Sequence, residues 1–503
     1  MTETDRLAPV LMVQGTASSA GKSTMVAGLC RLFARRGLRV APFKAQNMSN
    51  NAAVCPGGGE IGRAQFSQAV AARIEPTIDM NPILLKPQGG TSQVVVRGEA
   101  RGSMTAREYF GRDRRGLWSV VTDALDRLRT NFDVVIAEGA GSPAEINLRE
   151  RDIVNMRVAI HAQAEVLLVG DIDRGGAFAS LLGTWEWLVP DERALVRGFV
   201  LNKFRGDASL LAPAPALLRQ RTGVPVVGVV PYVQDLQLPE EDAASLFQRE
   251  VHDALVDVAV IRLPHLSNFD EFGPLAAESG VQVRYVSRHA ELRAPDLVIL
   301  PGSKATIPDL LWLVERGLAD RIRWLAAHGT PVLGVCGGYQ MLGRAVHDPY
   351  RLESDHLTAR GLDLLPVETE LATNKRLVRT RGRVIGHGQG VWGSLADQPV
   401  EGYEIHVGRT SADAWDRPLL EVQDGPEGSA SIHMPVVGTS LHGLLERPEP
   451  RHALLRALAA SRGFAWHSAA APASDPYDVL ADVLESTLQL DGLQVASLAA
   501  HLA

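Results

Sequence analysis

Two stretches, in opposite halves of the 503-residue chain, combine residue types and spacings suited to chemistry. The first is Gly15-Thr16-Ala17-Ser18-Ser19-Ala20-Gly21-Lys22-Ser23-Thr24. Small residues there let backbone N–H groups curl around phosphate oxygens, and a following helix adds a favourable dipole. Lys22 can reach the outer phosphates of a nucleotide, and the Ser23 hydroxyl can ligate Mg²⁺. Gly15, Thr16, Gly21, Lys22, Ser23 and Thr24 are therefore the candidate ATP-binding residues. The strict phosphate-loop pattern has glycine where Thr16 stands, and Gly15 comes one residue early.

The second stretch is Gly334-Val335-Cys336-Gly337-Gly338-Tyr339-Gln340. A strand-to-helix turn of this kind holds a sulfur at a sharp elbow among small neighbours. The helix N-terminus favours the thiolate, and N–H groups around Gly337 can stabilise an oxyanion. The upstream Pro301-Gly302-Ser303-Lys304 could donate a second such N–H, from Gly302. A thiol nucleophile needs a base. Among 14 histidines, His442, after the apolar run 435–437, and His406, in 402–409, have a suitable context; His442 is the candidate base. Cys30 reads as a small buried hydrophobe on a helix.

Other polar residues fall at expected strand ends, where open α/β sheets bind ligands. Glu138, in Glu138-Gly139-Ala140-Gly141, is a candidate Mg²⁺ ligand, directly or through water. Asn202 could read a base edge, and Lys44 could meet a phosphate or a carboxylate.

These groups need a scaffold of strands and helices. The runs 10–14, 38–43, 133–137, 165–169, 198–201 and 224–230 are apolar throughout, as expected of parallel strands covered on both faces. Helical patterns occupy 21–36, 105–130 and 208–221. An acidic stretch from 238 to 250 marks a boundary, so the expected domains are 1–248 and 249–503. A second alternation then places strands at 256–262, 281–286, 296–300 and 331–335 and a helix at 307–327. From 362 to 439 shorter, glycine-rich segments predict hairpins added to that sheet. One or two helices end the chain, with 469–474 as a flexible connection.

Composition agrees with this α/β reading. Hydrophobic residues make up 46% and charged residues 22%, the profile of a globular protein. A net charge of -7 gives no reason to propose nucleic acid as a partner. Three cysteines are too few for a disulfide scaffold. Neither a secretory signal nor a membrane-length apolar run is evident, so a cytoplasmic setting is expected. The sequence leaves open a homo-oligomer.

The Gly-x-Cys-x-Gly-x-Gln pattern, followed by His442, resembles the class I glutamine amidotransferases. That resemblance implies a glutamyl thioester on Cys336, release of ammonia, and glutamine or oxyanion contacts from Gly302, Gly337 and Gln340. The family's His-x-Glu would put its acid at 444, where this chain has Leu; Glu446 is out of register. A Cys336–His442 dyad is the resulting expectation. Longer matches, among them Lys44-Ala45-Gln46-Asn47-Met48-Ser49, residues 59–65, 79–87, 138–148, 170–176 and 202–207, resemble the cobyric acid synthase family over roughly 10–445. This resemblance implies a dethiobiotin-synthetase-like P-loop domain before a class I amidotransferase-like domain. It further implies ATP and Mg²⁺ as cofactors, glutamine as nitrogen donor and a corrinoid substrate.

On the same basis, the amide-rich loops at 47–51 and 59–65 suit a substrate bearing several carboxylates, with Lys44, Gln46, Asn47, Asp171 and Asp173 as its candidate contacts. The rivals are the cobyrinic acid a,c-diamide synthases and a nucleotide switch with an inactive amidotransferase-like domain. The run at 44–49 argues against the first, and an intact Cys336 and His442 against the second.

Overall fold

The computed structural model describes residues 7–111, 115–234, 236, 238, 251–413, 416–468 and 474–500. All six apolar runs of the first half join one parallel sheet. Its order is Val226–Pro231, Val196–Phe204, Glu165–Asp171, Val10–Gly15, Val134–Glu138 and Val40–Phe43. Every residue of the central Val10–Gly15 strand is buried. Alternate side chains serve opposite faces: Val10 and Met12 pack in one core cluster, Leu11 and Val13 in another.

The second parallel sheet runs Val281–Val286, Val256–Ile261, Leu297–Leu300, Val332–Val335 and Val436–Thr439, with the antiparallel Ser429–Ala430 at its edge. Within 362–439, Ser429–Ala430 and Val436–Thr439 extend this sheet as a hairpin, but the other strands do not. They build a separate one around a long hairpin, Val367–Val384 with Pro399–Ala412. A single bridge, Tyr403 to His442, ties that hairpin to the end of the parallel sheet.

Several expectations change at their ends. The helix expected over 105–130 begins as strand Glu99–Thr105 and then helix Ala106–Gly111, with Arg115–Asn131 following. Thr105 and Glu108 exchange capping hydrogen bonds, which starts the helix there. The helix expected at 307–327 is two, Thr306–Glu315 and Leu318–Ala327, because Gly317 adopts a left-handed φ of 67°. The segment at 208–221 is a short 3₁₀ turn and then helix Ala214–Thr222. Residues 59–65 are not a loop. Glu60–Gly62 is a strand paired with Ala52–Val54, and it leads straight into helix Arg63–Ala71. Beside it stands a four-stranded sheet of Gln46–Met48, Ile83–Gln88, Thr91–Val96 and Glu99–Thr105. Its strands carry too many polar residues for the apolar-run criterion.

The C-terminal tail, expected with the second domain, packs in two places. Helix Pro448–Ser461 packs on the second sheet through Leu454, Leu455 and Leu458. Helix Pro476–Thr487 instead returns to the first domain and lies on helix Lys22–Arg35. A side chain at Gly28 would come within 2.5 Å of Leu484, and Arg31 pairs with Asp475 at 2.7 Å. The tail therefore belongs to the nucleotide-binding unit, held by apolar burial and a buried guanidinium. Residues 239–250 and 469–473, on which the boundary and connection were read, lie outside the described residues. No helix among the described residues is long and apolar enough to cross a membrane.

Candidate active sites

The Val10–Gly15 strand ends in the loop that leads to helix Lys22–Arg35. Gly21 has φ 94°, and a Cβ there would collide with Asn202 Nδ2 at 2.1 Å. Glycine is thus required twice over, by conformation and by space. Lys22 Nζ donates to the carbonyls of Ala17 at 2.8 Å, Ser18 at 3.1 Å and Gly141 at 3.1 Å. Its ammonium lies inside the curl of the loop, and a Cβ on Gly15 would sit 3.1 Å from it. Thr16 N–H donates to Val169 O, and Ser23 and Thr24 form the first turn of the helix.

Ser23 Oγ donates to Glu138 Oε1 at 2.8 Å, so the two residues chosen as metal ligands meet. Lys44 Nζ reaches the same Oε1 at 2.8 Å, and Gln68 Nε2 donates to Oε2 at 2.6 Å. Lys44 thereby stands beside the loop. Asn202 stands at the loop, its Nδ2 donating to Ala20 O at 2.9 Å. Lys203 donates to Ser19 O and pairs with Asp171 at 2.9 Å, while Asp173 pairs with Arg205 at 3.1 Å. Gln46 accepts from Tyr109 at 2.5 Å, and Asn47 donates to Gln65 at 2.9 Å.

In the second domain Val332–Val335 delivers Cys336 in a strained backbone, φ 52° and ψ -110°, just before helix Gly337–Leu342. A left-handed φ at a non-glycine residue persists only where its surroundings enforce it. Here they do: a Cβ on Gly338 would lie 1.9 Å from Leu300 O. The helix can start so close to the neighbouring strand only with glycine there. A Cβ on Gly337 would lie 2.9 Å from Ser303 N, and one on Gly302 would lie 3.0 Å from the His442 ring. Gln340 accepts from Thr306 Oγ1 at 3.2 Å.

His442 acts electrostatically on Cys336, whose Sγ meets Ile405 O at 3.6 Å, while His442 Nε2 meets Asn268 Nδ2 at 3.2 Å. Its Nδ1 meets Glu271 Oε1 at 2.8 Å, and Gly443 N–H donates to Glu271 Oε2 at 3.0 Å. The ring stacks on Tyr403, with centroids 5.3 Å apart. Burial pushes the Cys336 thiol up, but His442, seconded by His406, outweighs it and holds the thiol below its ordinary value. Burial would likewise lower the imidazole, yet Glu271 and the thiolate raise it to about 10. Both shifts describe one thiolate–imidazolium pair.

Glu271 was missed from sequence, and the dyad expectation gives way to a three-residue chain. The acid comes from a 3₁₀ turn, Phe269–Phe272, far upstream of the histidine. Leu444, in the register of the family's His-x-Glu, is buried in the apolar core. Glu446 turns away and pairs with Arg63 at 3.0 Å. His406, the other candidate base, bonds Glu404 and Gly408 O.

Residues 11–246 match the CobQ/CobB/MinD/ParA nucleotide binding domain, and residues 257–450 match the CobB/CobQ-like glutamine amidotransferase domain. Joined in one chain, these domains define a glutamine-dependent amidating ligase. A protein called cobyric acid synthase in Desulfitobacterium hafniense is 47% identical, over 96% of this chain and 97% of its own. Those of Desulforudis audaxviator and Chloroflexus aggregans are 54% and 50% identical, over 87% and 94% of this chain and 88% and 96% of theirs. The chain belongs to the cobyric acid synthase family.

Proposed function

We propose that the chain amidates the b, d, e and g carboxylates of adenosylcobyrinic acid a,c-diamide to give cobyric acid, with ATP as the activator and glutamine as nitrogen source. The observation that carries this is the Cys336–His442–Glu271 chain in a protein that also has the Lys22 loop. Family membership supports the corrinoid as substrate.

In the glutaminase half, the Cys336 thiolate attacks the carboxamide carbon of glutamine. The His442 imidazolium gives its proton to the departing nitrogen, which leaves as ammonia. Water then cleaves the glutamyl thioester, releasing glutamate and restoring the thiolate. Glu271 holds the imidazole by Nδ1 and favours its charged form.

A carboxylate oxygen is a poor leaving group, so the synthetase half first converts it. A carboxylate oxygen of the corrinoid attacks the γ-phosphorus of ATP, ADP leaves, and an acyl phosphate results. Ammonia attacks the acyl carbon, the C–O bond breaks and phosphate departs. Lys22 offsets charge on the transferring phosphoryl group. The hydroxyl of Ser23 beside the carboxylate of Glu138 is an oxygen donor set that fits Mg²⁺. Bound there, Mg²⁺ would supply charge neutralisation across the phosphates. Lys44 balances Glu138 in this structure. We place the reaction in the cytoplasm, where ATP and glutamine are both supplied.

The test is mass spectrometry of adenosylcobyrinic acid a,c-diamide incubated with enzyme, Mg-ATP and glutamine. Four successive amidations are expected; an unchanged corrinoid refutes the substrate.

A further inference from the structure

The Cys336 cleft is not walled by its own domain alone. Its lining includes Lys304 and Lys375 of the amidotransferase domain and Lys86 of the nucleotide-binding domain. Lys86 sits on strand Ile83–Gln88, and its side chain is only 2% exposed. Two carboxylates, Glu60 and Glu353, answer the three ammonium groups. Glu60, wholly buried, is shared: Lys86 lies 3.2 Å from one oxygen and Lys375 bonds the other. Lys304 donates to the neutral Gln93 Oε1 at 3.2 Å and makes no ion pair with any described residue. The arrangement crosses the domain boundary again where Lys375 meets Gln93 and Gln88 donates to Lys304 O.

Such a cluster is costly unless an anion completes it. Burial, together with repulsion from Lys86, lowers Lys304 to about 8 and contributes to holding Lys375 at about 7. Burial opposes ionisation of Glu60, yet the three lysines outweigh it and hold that carboxyl at about 2. The Cys336 thiolate also acts on Lys304, so the cations and the nucleophile belong to one field. A carboxamide to be attacked is neutral and needs no ammonium. The substrate part that does is an anion borne on the same small molecule.

We propose that Lys86, Lys304 and Lys375 receive the α-carboxylate of glutamine, so that the glutaminase cleft is completed by a side chain of the nucleotide-binding domain. This rests on the reading of Cys336 as the nucleophile. Separation of the domains withdraws Lys86 and leaves glutamine weakly held, which ties ammonia release to the docked enzyme.

The test compares hydrolysis of L-glutamine with that of its α-carboxamide analogue by the full-length enzyme. The native enzyme prefers glutamine. In Lys86→Met that preference falls by about tenfold or more, through KM for glutamine, while Lys86→Arg retains most of it. Lys304→Gln gives the same loss of preference without altering the nucleotide-binding domain, which covers a failure of Lys86→Met to fold. An equal loss for both substrates, or an unaltered preference, overturns the proposal. Glutamine hydrolysis by Cys336→Ala would instead count against Cys336, whatever the lysines do.

Discussion

The nucleotide loop and the glutamine cleft both hold a reactive group at a strand-to-helix turn, but they gather their residues differently. Lys22, Ser23 and the loop carbonyls that hold Lys22 come mostly from one short stretch, with Glu138 and Asn202 added by adjacent strands. The glutamine cleft draws Cys336, His442 and Glu271 from three separate parts of its domain, and Lys86 from the other domain. The difference is physical. A phosphate is bound by backbone N–H groups and a helix end, which a continuous segment supplies. A thiolate–imidazolium pair needs side chains facing one another, and only tertiary folding brings these together.

Replacing the reactive group in each region should separate them most sharply. Cys336→Ser should abolish glutamine-driven synthesis while leaving synthesis from added ammonium salt. Lys22→Ala should lower synthesis by about a thousandfold with either nitrogen source, because it removes charge stabilisation at the phosphoryl group. Steady-state assays with glutamine and with ammonium chloride check both. Loss of ammonia-driven synthesis in Cys336→Ser would break the division of labour; synthesis retained in Lys22→Ala would remove the loop from the mechanism.

Glu271→Gln tests the distributed site next. Losing the acid that orients and charges His442 should lower glutaminase kcat by about 10²- to 10⁴-fold and spare ammonia-driven synthesis. The pH dependence has a definite sign. The active form carries a thiolate and an imidazolium, so activity is lost on the alkaline side as His442 deprotonates, near its value of about 10. Glu271 is the chief group raising that value, so in Glu271→Gln the alkaline limb should move to lower pH. A pH–kcat profile with an unmoved alkaline limb would exclude Glu271 as the group that keeps His442 charged.

The same contrast explains what the sequence disclosed. Gly15 to Thr24 was legible because strand, loop and helix are consecutive. Cys336 was legible because Gly337 and Gly338 mark a turn with no room for side chains. The apolar runs gave all six strands of the first sheet, since burial on both faces leaves a continuous hydrophobic record. Glu271 left no such trace. It lies in a short 3₁₀ turn between two buried phenylalanines, and nothing local marks its approach to His442. The return of Pro476–Thr487 to the first domain was hidden for a related reason. An amphipathic helix records that it has a partner, and Leu480 and Leu484 do not say which one.

Glu446→Gln should have the smallest effect, and it sharpens the assignment of the acid. Glu446 is close in sequence to His442, but its carboxylate pairs with Arg63, across the domain boundary, at 3.0 Å. Arg63 also holds Asp270 at 2.6 Å, and that pair survives the substitution. The Glu446 side chain is 31% exposed, so water screens much of its interaction with Arg63. Glutaminase kcat should therefore stay within about twofold of the native value, with no shift of the alkaline limb. Asp270, next to Glu271, is raised to about 6 by burial, with Glu446 adding to the rise against the opposing Arg63. Removing the Glu446 charge should lower Asp270, so any pH effect of this variant belongs on the acid side. A loss as large as that of Glu271→Gln would transfer the third position to Glu446 and require a rearrangement of the Arg63 contacts.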